Sequence, residues 1–237
     1  MANRILRTVG LSSAIAATVV CGAFSSQVFA MSPFEANYQF NYNGKNLGSA
    51  KRALTKSGNN WSYVFSAKAG AMASATETSR FTFNNGVIGS SAFSRTSKVL
   101  THSNTMSISF NPSAKTVSTK KDDKSRSFAW KSGVLDELNA ELQVREDLKK
   151  GALKGSYSIA DAKEIESRKF VKQGNEKIKT NLGTIDTVKV VMKHDKPGRE
   201  TIFWLAPSYD YLPVKVTHVD QKTSYGLLLT SYKGTKS

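Results

Sequence analysis

From residue 34 onward the chain alternates apolar and polar side chains with a period of two, and turn residues cut the alternation at short intervals. Phe34, Ala36, Tyr38, Phe40 and Tyr42 fall on one side, and Glu35, Asn37, Gln39 and Asn41 on the other. In an extended chain successive side chains point to opposite faces, so this pattern describes a half-buried strand with an aromatic inner face. Asn43-Gly44 follows, a pair that readily takes the positive φ of a tight hairpin. The same grammar then repeats. Strands are expected over 47–55, 61–65, 79–83, 87–94, 105–111 and 115–118, with turns at Gly58-Asn59-Asn60, Asn84-Asn85-Gly86 and Asn111-Pro112-Ser113. Strands spaced by about eight to twelve residues leave no room for helical crossovers, which excludes a parallel βαβ layout and requires antiparallel neighbours.

One segment departs from the rhythm. Over 134–150, Val134, Leu135, Leu138, Leu142, Val144 and Leu148 recur mostly three or four apart, with Asp136, Glu137, Glu141, Arg145 and Glu146 between them. That spacing predicts an amphipathic helix of about four turns. Lys149-Lys150 stand where the helix dipole favours cations, and Gly151 is the stop. Strands resume over 155–159, 164–171, 176–180, 183–193, 199–206, 212–219 and 226–232, with Gly174, Asn181-Leu182 and Lys196-Pro197-Gly198 as separators. The expected fold is mainly β. It is a single domain of antiparallel strands forming a curved sheet or incomplete barrel, with one helix packed against it.

The first 30 residues read differently. Arg4 and Arg7 precede an apolar stretch from position 11 to 24, and Val28-Phe29-Ala30 offers a cleavage site. This is the plan of a secretory signal cut after Ala30, leaving 31–237 as one β-rich periplasmic domain. The apolar stretch is shorter than the roughly 18 residues a spanning helix needs. Cleavage would remove Cys21, the only cysteine among 237 residues. The exported domain would then have no disulfide, thiolate nucleophile or thiolate metal site.

Charge narrows the partners. There are 34 Lys and Arg against 18 Asp and Glu, a formal net charge of +16. The basic residues are spread along the chain, densest over 115–131, and export makes nucleic acid an unsuitable client. Anionic lipid, glycan or an envelope protein is the expected partner. Chemistry-bearing motifs are weak: there is no Gly-x-Ser-x-Gly and no glycine-rich phosphate loop. The histidines are His102, His194 and His218. His194-Asp195 and His218-x-Asp220 place imidazole beside carboxylate twice, so acid–base or metal use of His194 and His218 is the enzymatic alternative. No cofactor and no resident metal are expected, and nothing in the sequence sets an oligomeric state.

The most distinctive wording is near the C-terminus. Glu200-Thr201-Ile202-Phe203-Trp204-Leu205-Ala206-Pro207 leads into Tyr209-Asp210-Tyr211-Leu212-Pro213-Val214-Lys215-Val216. Together with the Tyr38-to-Gly48 opening, the 135–148 helix and the Gly183-to-Val188 strand, this resembles the exported bacterial proteins of the domain-of-unknown-function 3108 family. The resemblance implies an exported, β-rich protein without an assigned activity, and it carries over no catalytic residue. Its outline is similar to periplasmic lipoprotein carriers, an analogy of shape alone. Trp204 and Tyr211 either fill the core or, with Lys215, line a site for an apolar or sugar ligand. The expected function is non-enzymatic binding of an anionic or amphiphilic envelope component: lipid, lipopolysaccharide or cell-wall material. The alternatives are docking into an envelope complex through an exposed edge strand and a hydrolase using His194 and His218.

Overall fold

The computed structural model describes residues 31–194 and 197–236, so the signal peptide expected over 1–30 lies outside the described residues. Eight strands precede the helix: β1 (Phe34–Tyr42), β2 (Lys45–Ser57), β3 (Asn60–Ala69), β4 (Ala73–Asn84), β5 (Val87–Val99), β6 (His102–Asn111), β7 (Thr116–Lys121) and β8 (Lys124–Ala129). The helix α1 (Glu137–Lys149) comes next. Six more strands complete the chain: β9 (Ser156–Ala160), β10 (Ile165–Thr180), β11 (Gly183–Lys193), β12 (Arg199–Ala206), β13 (Leu212–Asp220) and β14 (Thr223–Gly234). All belong to one antiparallel sheet ordered β8-β7-β6-β5-β4-β3-β2-β1-β14-β13-β12-β11-β10-β9. The first and last strands therefore meet in the middle, and two meanders extend from that seam.

The alternation read from the sequence sets the inner face. Tyr38, Tyr63, Phe81, Ile108, Val117, Val190 and Leu229 are almost completely buried on it. The sheet rolls around α1 but does not close. β9 is covered along its free edge by the chain entering the helix: Leu135 N–H donates to Ser158 O at 3.0 Å, and Ala160 N–H to Leu135 O at 2.8 Å. Opposite, Thr119 Oγ1 and Arg126 Nη1 donate to Ala162 O at 3.1 and 3.2 Å. Side chains thus bridge the gap where a closed barrel would have a backbone ladder, while β8 itself stays exposed along most of its length.

Several local expectations change. β8 lies outside the expected strands, and β3 runs on to Ala69 and β4 starts from Ala73, where strands were expected only over 61–65 and 79–83. Gly174, read as a separator, lies inside β10 at a register shift, with φ +104°. It makes a bulge where a strand end was expected, because glycine alone tolerates that conformation without strain. The helix also differs. An amphipathic helix on an open sheet would keep its polar side in water, yet residues 138–148 are buried on every side. The sheet reaches around it, and each polar side chain meets a partner. Asp136 caps the helix by accepting from Asn139 N–H at 3.0 Å. Gln143 accepts from Ile88 N–H at 2.8 Å and donates to Gly86 O at 3.0 Å, clamping the β4–β5 turn. Tyr157 Oη donates to Asp147 at 2.8 Å.

Candidate functional site

Between the inner faces of the two meanders and the first turns of α1 lies a cleft of about 760 Å³. Its C-terminal wall consists of two cross-strand rows. Register places Tyr42, Tyr225, His218, Thr201, Met192 and Phe170 side by side across β1, β14, β13, β12, β11 and β10. Two residues deeper, the row is Phe40, Leu227, Val216 and Phe203. The outer row is thus mixed and the inner row wholly apolar. The facing wall carries small side chains: Ala67 pairs with Ala75 and Ala69 with Ala73, next to Phe65 paired with Glu77. Small residues opposite large ones leave room for a guest.

Charged side chains occupy positions where the alternation calls for apolar ones. Arg52 lies between Ala50 and Leu54 on the buried phase of β2. Arg95 follows Phe93 on β5, and Arg168 precedes Phe170 on β10. Arg52 is fully enclosed. Its Nη1 donates to Glu141 at 2.6 Å and to Tyr63 Oη at 2.7 Å, while Tyr63 Oη donates to the second Glu141 oxygen at 2.8 Å. Phe65 stacks under its guanidinium at 5.1 Å. A pair this dry stands because both Glu141 oxygens and the Arg52 Nη1 are bonded, although the buried Arg52 Nε has no hydrogen-bond partner among the described residues. Arg168 pairs with Glu137 at 2.7 Å and also with Glu166, and Arg199 pairs with Asp220 at 2.5 Å. The Arg95–Glu77 contact is longer, 3.5 Å. Burial, aided by the nearby Glu137 charge, pushes the Glu77 carboxyl above the usual carboxylate range. The lining holds six basic residues against four acidic ones, so the cleft carries a cationic surplus.

The structure brings together His194 and His218, which the sequence separates. Both contact Thr201 Oγ1, at 3.0 and 2.7 Å. With one hydrogen, that hydroxyl donates to one ring and accepts from the other. His218 stacks on Tyr225 at 4.6 Å. Desolvation, then the charge of Arg168, pushes the His194 imidazole down to about 4. Desolvation and Arg199 lower that of His218. At neutral pH both rings are uncharged and act as hydrogen-bonding wall. Asp195 lies outside the described residues, and Asp220 holds Arg199. No cluster of three or more metal-ligating side chains occurs among the described residues.

Trp204, Tyr211 and Lys215 sit elsewhere. Trp204 and Lys215 are cross-strand partners on the convex face, with Lys215 Nζ 4.4 Å from the indole centroid. Glu176 of β10 accepts from Trp204 Nε1 at 2.7 Å and roofs the ring. Tyr211 lies in the turn after Pro207–Tyr209, with φ +55°. Two of the three thus meet, away from the cleft. No sequence motif marks the cleft arginines. The signal that could have found them was a charge on the apolar phase of a strand.

A family model described as "Protein of unknown function (DUF3108)" matches residues 37–230. A search of curated proteins finds no match. Among solved structures, a β-barrel-like protein of domain of unknown function DUF1849 from Brucella abortus is similar, at 10% identity and a TM-score of 0.58. The alignment covers 86% of this chain and 98% of that one. At that identity the likeness is one of fold. No helix among the described residues is long and apolar enough to cross a membrane.

Proposed function

The chain belongs to the DUF3108 family of proteins of unknown function, so its role must be argued from its own cleft; we propose that it is an exported, non-catalytic binding protein for an amphiphile of the bacterial envelope. The guest would have an apolar tail and an anionic head. The observation that carries this reading is the placement of Arg95, Arg168 and Arg199 around a cavity whose inner row is Phe40, Leu227, Val216 and Phe203. Aromatic and aliphatic walls take the tail, and a few polar groups fix the head. Arg95 is the cation best placed to change partner. Its bond to Glu77 is long, and burial already favours protonation of that carboxyl. An incoming anion can take over Arg95 as Glu77 accepts a proton.

Titration with a dansylated long-chain fatty acid tests this. Saturable fluorescence enhancement is expected, and Ala67→Trp, which fills the cleft from its small-residue wall, should weaken binding about tenfold, or ~1.4 kcal/mol. No saturable binding by the unaltered protein, together with no lipid or glycan in extracts of protein isolated from its own envelope, would reject the reading. The export component has a separate check: N-terminal sequencing of protein from a periplasmic extract should begin at Met31.

A further inference from the structure

Antiparallel meanders put alternate hairpin tips at opposite ends of the sheet. The tips of β1–β2, β3–β4, β5–β6 and β13–β14 share the end at which the cleft opens, since Tyr42, Ala69, Val99 and Thr223 all line it. Apolar exposure is concentrated there. Of the nine large apolar side chains most exposed among the described residues, six are at this end: Tyr42, Leu47, Met72, Val99, Leu100 and Tyr225. Met72, Val99 and Leu100 are 58%, 57% and 64% exposed.

Leu100 has a further peculiarity. It occupies the left-handed region, with φ +55°, at a hairpin tip, where other tips place Asn43, Gly44, Asn85, Lys115, Asp122 or Gln221, all polar residues or glycine. A leucine there accepts backbone strain and solvent exposure together, and neither helps the fold. Its N–H donates to Met72 O at 2.7 Å, tying two tips into one patch. Across the mouth, Asn43 N–H donates to Ser224 O at 2.7 Å and joins the other two tips. Exposed Lys45, Lys68, Lys98 and Lys222 surround the apolar tips and have no ion pair among the described residues. The exposed carboxylates Asp122 and Asp123, at the neighbouring β7–β8 tip, are flanked by Lys120, Lys121 and Lys124.

We propose that this rim docks onto the surface of an anionic lipid bilayer, with Met72, Val99 and Leu100 entering the headgroup region and the lysines meeting lipid phosphates. Apolar tips ringed by cations match such an interface in both parts of its chemistry. Docked this way, the cleft mouth faces the membrane. The inference does not rest on what the cleft holds.

Flotation of the purified protein with vesicles of phosphatidylcholine, with and without phosphatidylglycerol, tests it. The unaltered protein should float with the anionic vesicles, less so as salt rises, and only weakly with the neutral ones. Met72→Glu/Leu100→Glu should lower the partition coefficient at least about tenfold. Leu100→Gly, which relieves the left-handed strain, should also lower it without loss of thermal stability. Charge reversal at Lys172 and Lys179, remote from the mouth, should leave it unchanged. Absence of flotation by the unaltered protein, or equal flotation of the Met72→Glu/Leu100→Glu variant, would overturn the proposal. Loss through Lys172 and Lys179 would do the same, by making the attraction a property of net charge. Fatty-acid titration of the rim variants separates the two readings: an intact cleft with lost flotation supports the rim alone.

Discussion

Asp136 shows how burial at one residue sets a pH dependence. It caps α1 from a site without solvent, accepting also from Asn139 Nδ2 at 2.8 Å and from the Ser79 hydroxyl. Burial pushes its carboxyl up to about 7 from an ordinary 3.8. Because the folded state then holds the proton more tightly than the unfolded chain, this group's contribution to stability falls as pH rises from about 4 to about 7. His194 acts in the opposite sense over nearly the same interval. Its imidazole, at 6.5 when free, is pushed down to about 4, so the unfolded chain binds the extra proton and stability rises with pH. The two slopes oppose each other in the intact protein. Asparagine caps helices about as well as aspartate, so Asp136→Asn should fold and expose the rising slope. Its stability relative to the unaltered protein, measured by urea midpoints, should be greater near neutral pH than near pH 5. No change in that difference with pH would show that Asp136 ionises as freely as in water, and the reverse order that the fold favours its charged form.

At the scale of elements, the helix is held by polar clamps as much as by its leucines. Gln143 serves both the Ile88 N–H and the Gly86 carbonyl at the β4–β5 turn and donates to Asp147 at 2.9 Å. Gln143→Ala would leave a buried donor and acceptor unmade, at a cost of about 1–3 kcal/mol. Urea unfolding measures it, and a change below a few tenths would mean that the clamp is dispensable or that water replaces it. The end of the helix was legible from leucine spacing and Gly151, but its start was not: Val134 and Leu135 precede the Asp136 cap, and Leu135 pairs with Ile159 of β9 instead. The burial of the helix's polar side was not legible, because periodicity separates the two sides of a helix without showing what covers each. Most strand positions were readable from alternation for the same local reason, but β8 was not, because Lys124–Ala129 carries almost no apolar phase. The bulge at Gly174 was misread because glycine punctuates turns and bulges alike.

For the whole molecule, the pairing of the first and last described strands, β1 and β14, makes the sheet continuous. Glu141 ties α1 to Arg52 of β2, and Glu137 ties it to Arg168 of β10, so the helix links both meanders. Unfolding should therefore be one event. Trp61 lies in β3 and Trp204 in β12. Denaturation followed separately by each, in variants with the other tryptophans replaced by Phe, should give coincident curves. Two separated transitions would identify the meanders as independent folding units.

The sequence by itself determined the class of fold, the phase of most of its strands and the family, because these depend on neighbours a few residues apart. It also placed a charge at the in-phase positions Arg52, Arg95 and Arg168, where a meaning could have been sought. Only the tertiary structure decided that Glu141 would reach Arg52, that His194 and His218 would share Thr201, and that the exposed tips of four hairpins would surround one opening. Those relations join residues distant along the chain. They are fixed by how far the sheet rolls, which is set by cumulative strand twist and by the volume of the enclosed helix, and neither can be read from any single stretch of sequence.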